Sequence, residues 1–276
     1  MTRITNPANA TIKAYRALRH RKARAESGLF LAEGIRLVAE AVQLKAPLEA
    51  LIYAPELLES PFGQQIVAQA QSIGVRVLEV SAAVFASLSA KENPTGLAAV
   101  ARQAWTPLSA VRFTPEKLGW VALDSPQDTG NIGTILRTCD AVNAEGVILL
   151  GNAADPYDPS GVRASMGAIF SQKLVRASYT EFLAWQAQGS ARLIGTSDSA
   201  QMDYREADYS KPLILLMGSE REGLPNALKA ACTSLVRLPM LGRCDSLNVA
   251  VACGVMLYAI LDAQQNWRSS VITIKE

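Results

Sequence analysis

The amino-acid sequence predicts an α/β protein in two parts, a small N-terminal α/β domain followed by a larger domain built on a parallel sheet. Three observations lead there. Short apolar runs alternate with stretches whose apolar residues recur at helical spacing along nearly the whole chain. Runs in the second half, at residues 118–123, 147–150 and 213–217, are continuously apolar, as expected for strands covered on both faces. Residues 103–117 lack sustained periodicity and carry Pro107 and Pro115, which marks a domain boundary. The expected division is a first domain at 1–106, a linker at 107–117, a second domain at 118–265 and a loosely held tail at 266–276.

In order, residues 8–25 favour a basic helix, 30–32 a short strand closed by Glu33 and Gly34, and 35–44 a helix. A strand at 48–54, a helix near 62–73, a strand at 75–80, a helix near 83–88 and a strand at 97–102 complete the first unit. Between the last two, Lys91 to Gly96 reads as a turn from its Asn-Pro and Gly content. The second unit opens with the strand at 118–123, a polar loop, a helix over 131–143 and a strand at 147–150. That is a βαβ unit, whose crossover should be right-handed. A helix over 160–170, a strand at 173–176, a helix over 180–188, a strand at 193–195 and a polar loop over 200–211 come next. The strand at 213–217 ends at Gly218, and Ser219, Glu220, Arg221 and Glu222 separate it from Gly223. A sharp turn thus carries polar groups at the carboxyl end of a buried strand, the edge at which open α/β sheets bind ligands. The strand at 234–238 runs into Pro239, Met240 and a polar loop, after which Asp245 or Ser246 is the expected N-cap of a last helix. That helix is apolar nearly all round over 249–261 and is expected to be buried. It is shorter than the ~18 residues that argue for a membrane span.

The 276 residues carry a formal charge of +2, so the whole-molecule field points only weakly to a polyanionic partner. Local charge says more. Arg3, Lys13, Arg16, Arg19, Arg21, Lys22 and Arg24 stand in the first 25 residues with no acid among them. Such a segment is a solvated helix face, a transit peptide or a nucleic-acid patch. The single histidine, His20, lies there too, which argues against histidine-based zinc sites and Ser-His-Asp chemistry at the sheet. Cys139, Cys232, Cys244 and Cys253 show no C-x-x-C spacing and read as reduced cysteines of a cytoplasmic protein. No apolar segment with a cleavage site follows the N-terminus, so secretion is not expected.

Several residues could carry chemistry. Gly133 and Arg137 share a helix face, with Asn131 at the amino end. Arg137 reads either as a guanidinium that binds phosphate or stabilises an oxyanion, or as a surface residue paired with Asp140. Glu220 reads as a residue that orients a partner from the glycine turn, or as a solvated loop acid. Ser246 and Asn248 read as caps. The spacing of Gly218 and Gly223 lacks the Lys-Ser/Thr of a P-loop, and no G-x-G-x-x-G follows any strand.

Jointly the pattern is more specific. N-I-G-T-I-L-R-T-C-D-A (131–141), L-L-M-G-S-E-R-E-G-L (215–224) and L-P-M-L-G-R-C-D-S-L-N-V-A-V-A (238–252) resemble, in order and spacing, the three motifs of the SpoU/TrmH family of RNA ribose 2′-O-methyltransferases in the SPOUT superfamily. The resemblance extends to V-R-A-S-M-G-A (162–168). It also reaches the first domain, where Asn6-Pro7, Lys13, F-L-A-E-G (30–34) and Pro94-Thr95-Gly96 look like the family's substrate-binding domain. Where the family often has a small residue and then Phe-Gly after the motif arginine, this chain has Cys139 and then Val142-Asn143, a packing and turn substitution.

The resemblance implies a C-terminal SPOUT domain with a parallel sheet and a deep trefoil knot, and an N-terminal RNA substrate-binding domain. It implies S-adenosylmethionine as cofactor, held by the backbone at Gly218, Leu238 and Leu247, with Leu216 and Met240 lining the pocket and the loop near Thr196 as another wall. Arg137 takes the position of the motif arginine that activates the ribose hydroxyl, and Asn131, Glu220, Ser246 and Asn248 fall on positions that shape the site. Lys13, Arg16, Arg24, Arg36 and Arg163 are the expected RNA contacts. The resemblance further implies a homodimer through the knotted domain, with neither metal nor membrane involved. Ribosomal RNA is expected over transfer RNA as substrate. The alternative is an RNA-binding protein of the same fold that has lost catalysis.

Overall fold

The computed structural model describes residues 3–219 and 222–264, so Glu220 and the expected tail at 266–276 lie outside the described residues. Two compact units are present, Met1–Ala104 with Asp155–Ser171, and Trp105–Ala154 with Gln172–Glu276. The second unit is therefore not continuous in sequence, unlike the domain expected at 118–265.

The first unit begins with α1 (Ala10–Ala17), whose N-cap Asn9 accepts from the backbone N–H groups of Thr11 and Ile12. α2 (Arg21–Ser27) ends on Gly28 in the left-handed conformation. The one basic helix expected at 8–25 is thus two. At the break Leu18 enters the core, and Arg19 reaches across to the backbone carbonyls of Ser87, Leu88 and Ser89. β1 (Leu29–Glu33), α3 (Ile35–Gln43), β2 (Leu48–Tyr53), α4 (Pro61–Ser72), β3 (Val77–Glu79), α5 (Ala82–Leu88) and β4 (Leu97–Arg102) complete the unit's main elements. The sheet order is β1-β4-β2-β3, with β4 antiparallel to both its neighbours and β2 parallel to β3. β4 shows why its sequence is apolar throughout. Ala98 and Val100 pack with Ile12, Ile52 and Phe85 on one face, while Leu97 and Ala99 pack with Val38, Leu51 and Ile66 on the other.

The second unit is built on β5 (Trp120–Asp124), α6 (Thr129–Ala141) and β6 (Gly146–Leu150). The chain then leaves it for α7 (Pro159–Ala164), which packs on β1 in the first unit. Arg24 holds that excursion, donating to Asp155 Oδ2 at 2.7 Å and Asp158 Oδ2 at 3.0 Å, and Phe30 packs at a tilt on Tyr157 with centroids 4.7 Å apart. The helix expected over 160–170 stops at Ala164. Met166 and Gly167 both take positive φ, and a Cβ on Gly167 would lie 2.6 Å from Glu40 Cγ. The chain must turn there, and only glycine fits.

Back in the second unit come β7 (Lys173–Ala177), α8 (Tyr179–Gln186), β8 (Arg192–Thr196), β9 (Met202–Asp203), β10 (Leu213–Met217), α9 (Asn226–Ala231), β11 (Ser234–Arg237) and α10 (Val249–Ala263). The sheet order is β7-β6-β5-β10-β8-β11-β9, every pair parallel. All five residues of β10 are buried between β5 and β8, as the unbroken apolar run requires. The two-residue β9 falls in the expected loop at 200–211.

Two expectations for α10 need correction. Its N-cap is Asn248, whose side chain accepts from the N–H groups of Ala250 (2.9 Å) and Val251 (3.3 Å), rather than Asp245 or Ser246. Nor is it buried all round. Cys253, Met256 and Ile260 are buried, but Val251, Val255 and Tyr258 are 54%, 39% and 52% exposed at helical spacing on one face. Among the described residues no helix is long and apolar enough to cross a membrane.

Candidate active site

Parallel pairing aligns the carboxyl ends of β8, β10 and β11 at one edge of the second unit, and the segments that leave them surround a cavity of about 730 Å³. Thr196 ends β8 and Asp198 follows it, while Met217 ends β10 and Gly218 and Glu222 stand in the turn after it. Leu238 and Met240 follow β11, and Ser246, Leu247 and Val249 lead into α10.

The turn after β10 is closed by paired bonds. Ser219 N–H donates to Gly223 O at 3.2 Å, and Gly223 N–H donates back to Ser219 O at 3.1 Å. A Cβ on Gly218 would sit 2.7 Å from the Gly223 carbonyl carbon and 2.8 Å from Leu224 N. Glycine is therefore needed at 218 for the turn itself, a reason separate from ligand approach.

The sequence-derived cofactor residues Gly218, Leu238, Met240, Leu247 and Thr196 all line this cavity, and so does Ser246. Leu216 does not. It is fully buried in the core of the unit with Trp120, Ala122 and Ile214, and the next residue, Met217, lines the cavity in its place. The reason is the strand's period of two, which turns adjacent side chains to opposite faces. Thr196 Oγ1 lies 3.8 Å from Met217 Sδ.

Asn131 and Asn248 come together. Asn248 Nδ2 donates to Asn131 Oδ1 at 3.0 Å, which ties the first turn of α6 to the cap of α10 beside two cavity residues, Leu247 and Val249. α6 begins at Thr129 because Asp128 caps it, accepting from Gly130 N–H at 2.7 Å. Arg137, farther along α6, is exposed, and among the described residues no ion pair joins it to Asp140, which instead accepts from Gln172 at 3.2 Å. Below the same helix, burial pushes the Cys253 thiol up to about 12 and the Cys139 thiol well above its usual value, so both are inert packing groups between α6 and α10.

Sequence reasoning missed three charged residues of the lining, Asp198, Lys229 and Arg237, and read Asp245 only as a cap and Glu222 only as part of the turn. Asp198, Arg237 and Asp245 stand within two positions of named residues, so the sheet-edge rule could have found them. Lys229, inside a short helix, gives no such signal. Also unforeseen is a polar cluster at the carboxyl end of β5, where Tyr179 Oη donates to buried Asp124 Oδ1 at 2.5 Å and lies 2.8 Å from Ser125 Oγ. The Tyr179 phenol is raised, first by burial and then by its bond to Asp124.

Of the expected RNA contacts, Lys13, Arg36 and Arg163 are exposed. Arg16 is half-buried and donates to Pro7 O and Ser87 Oγ. Arg24 is a correction. It is 1% exposed, its guanidinium held by Asp155, Asp158 and the carbonyls of Leu18 and Arg19, so no face of it is open to a phosphate.

Comparison with known proteins decides the family. The SpoU rRNA Methylase family profile matches residues 120–258, and an MRM3-like substrate binding domain matches residues 9–99. The chain belongs to the SpoU rRNA methylase family. It is 34% identical over 93% of its length to a 23S rRNA (uridine(2479)-2'-O)-methyltransferase from Streptomyces viridochromogenes, covering 90% of that protein. An AdoMet-bound rRNA methyltransferase from Sinorhizobium meliloti superposes with a TM-score of 0.87 at 37% identity, over 97% of this chain and 99% of the other. The SpoU methyltransferase AviRb from Streptomyces viridochromogenes, in complex with AdoMet, gives 0.81 at 32% identity, over 93% and 98%. This SpoU protein thus carries the family's two sequence regions on a fold shared with cofactor-bound relatives.

Proposed function

We infer that this protein transfers a methyl group from S-adenosylmethionine to a ribose 2′-hydroxyl of ribosomal RNA. The observation that carries this is the cavity at the sheet edge, assembled from the second and third sequence motifs and tied through Asn131 and Asn248 to the helix that bears the first. Its volume of about 730 Å³ lies within the ~300–1,000 Å³ usual for small-molecule sites. Its lining also suits the cofactor's chemistry. Leu238, Met240 and Leu247 offer apolar surface for a flat base, while Lys229 and Arg237 with Asp198, Glu222 and Asp245 offer both signs of charge for a zwitterionic amino-acid tail. When bound, S-adenosylmethionine supplies an electrophilic methyl group on a sulfonium.

The chain's own residues serve the nucleophile. A ribose hydroxyl is a poor nucleophile at neutral pH, and its oxygen gains negative charge as it gives up its proton. A guanidinium near that oxygen lowers the cost, and its charge persists at any working pH. Arg137 is that group, on an exposed turn of α6 and unpaired with Asp140. Asn131 and Asn248 hold the amino ends of α6 and α10 in register, and Ser246 and Glu220 complete the site. Lys13, Arg16, Arg36 and Arg163 contact RNA phosphates.

The protein works as a homodimer, with the exposed apolar face of α10 (Val251, Val255 and Tyr258) as its interface, and its cofactor loops form a trefoil knot. It acts in the cytoplasm, in keeping with its free cysteines. Calorimetric titration tests the cofactor assignment. Stoichiometric binding of S-adenosylmethionine to the metal-free protein is expected, and a folded sample that gives no heat with it or with S-adenosylhomocysteine overturns the reading.

A further inference from the structure

The polar cluster of Asp124, Ser125 and Tyr179 lies outside the lining of the sheet-edge cavity. Asp124 ends β5 and is 3% exposed, and among the described residues no cation pairs with it. A buried carboxyl group needs hydrogen bonds in place of water, and the Tyr179 hydroxyl supplies one. The sheet explains how Tyr179 comes to be there. Asp124, Leu150 and Ala177 stand in register across β5, β6 and β7. Ser178 then opens α8 with a capping box, its hydroxyl accepting from Glu181 N–H at 3.2 Å and the Glu181 carboxylate accepting from Ser178 N–H at 2.8 Å. That box fixes Tyr179 as the first residue of the helix, and its phenol crosses the end of β6 to reach β5. It passes over Gly151, where a Cβ would lie 2.7 Å from Tyr179 Oη and 2.6 Å from Ser125 Oγ, so the crossing requires glycine. The single phenolic proton goes to Asp124 Oδ1. In the 2.8 Å bond between Ser125 and Tyr179 the serine hydroxyl is therefore the donor.

Ser125 is the residue under constraint. Its φ is +42°, in the left-handed region that residues other than glycine seldom adopt, and the Pro126 that follows favours an extended residue before it. Its N–H donates to Leu150 O at 3.1 Å, its hydroxyl donates to Tyr179, and its carbonyl accepts from Gln127 Nε2 at 2.8 Å. Ala154 N–H then donates to Pro126 O at 2.8 Å. The loop set in this way runs to Asp128, the cap of α6, and to Asn131, which is bonded to the cap of α10.

We propose that Tyr179 is a positioning residue for methyl transfer. Its hydroxyl, bonded to Asp124 and Ser125, holds the loop over 125–131 in one conformation and so fixes where α6 begins, and with it the placement of Asn131 and Arg137. Strain kept in a loop that leads into a site lowers stability and serves preorganisation. The inference rests on the reading of this protein as a methyltransferase, and deepens it by naming what sets the geometry of the α6 arginine.

The test is single-turnover methyl transfer to 23S rRNA transcribed in vitro, at saturating S-adenosylmethionine and RNA and well below the thermal midpoint of each variant. Tyr179→Phe keeps the ring and removes the hydroxyl. Its rate is expected to fall on the order of tenfold, with affinities for S-adenosylmethionine and RNA within about twofold of wild type, because misplacing a group that acts in the transition state lowers turnover and not binding. Asp124→Asn, whose amide oxygen still accepts from Tyr179, should keep most of the rate. Ser125→Gly separates geometry from stability. Glycine takes the left-handed φ freely, so the fold persists, but the loop loses its bond to Tyr179 and the rate should fall as well. Wild-type transfer by Tyr179→Phe or by Ser125→Gly overturns the proposal. So does a loss of rate matched by an equal loss of S-adenosylmethionine or RNA affinity, or an Asp124→Asn protein as slow as Tyr179→Phe, which would point to the charge of Asp124 and not to its bond. Failure of the underlying reading looks different, because wild-type protein would then transfer no methyl group.

Discussion

The guanidinium of Arg24 is enclosed by two carboxylates and two carbonyls, with its side chain 2% exposed. Removing one partner of a buried pair costs about 3–5 kcal/mol, because the groups left behind keep their desolvation without their counter-charge. Arg24→Ala is therefore expected to lower the stability of the protein by about that amount in chemical denaturation. Arg24→Lys should recover only part of it, since an ammonium cannot serve Asp155, Asp158 and two carbonyls in one planar fork. A change below about 1 kcal/mol would return Arg24 to the solvated surface. Arg16 and Arg19 are likewise engaged with the segment around Ser87, and Arg3 pairs with Glu56 and Glu79, so four of the seven basic residues in the first 25 bind groups of the chain distant in sequence. Charge in a sequence reports a need for a counter-charge or a dipole, and it cannot say whether that partner is RNA or the chain's own carbonyls. Arg137 is the opposite case, a guanidinium on a helix surface with no acid joined to it among the described residues.

At the scale of elements, α10 joins three roles. Its cap is bonded to Asn131 on α6, its buried side packs on α6 and β10, and its other side shows Val251, Val255 and Tyr258. Introducing a charge into an apolar interface leaves it desolvated and unpaired, so Val255→Asp is expected to convert a dimer into monomers in sedimentation equilibrium while the fold persists. A wild-type protein that sediments as a monomer would remove the interface assignment. The strands were legible in the sequence because continuous apolar runs have few other solutions; β10, its neighbour β5 and the next strand β6 fall where those runs are. The loops that line the sheet-edge cavity were legible through Gly218, Leu238, Met240 and Leu247, because parallel strands deliver their outgoing loops to one sheet edge. Legibility failed where tertiary partners decide. The exposed face of α10 is as apolar as its buried one. The end of α7 depends on Glu40 lying against Gly167, more than a hundred residues away in sequence. Asn248 was readable as a cap beside Ser246, but the bond from its amide to Asn131 is one that no local pattern encodes.

Across the whole molecule, the sheet-edge cavity lies in one of two compact units, and each unit draws on non-contiguous stretches of chain. A formal charge of only +2 fits this arrangement, because affinity for a polyanion then depends on where the cations stand and not on the total field. Methylation of a ribose oxygen by the cavity and the α6 arginine together is the expected reaction. It is tested most directly by incubating the protein with methyl-labelled S-adenosylmethionine and 23S rRNA transcribed in vitro, then hydrolysing the RNA with alkali. A methylated 2′-oxygen cannot attack the neighbouring phosphodiester, so the account predicts label in alkali-resistant dinucleotides. It also predicts that Arg137→Ala slows incorporation by on the order of 10²-fold or more under single-turnover conditions, with S-adenosylmethionine binding retained. Label recovered in mononucleotides, or a near-normal rate for Arg137→Ala, would contradict it.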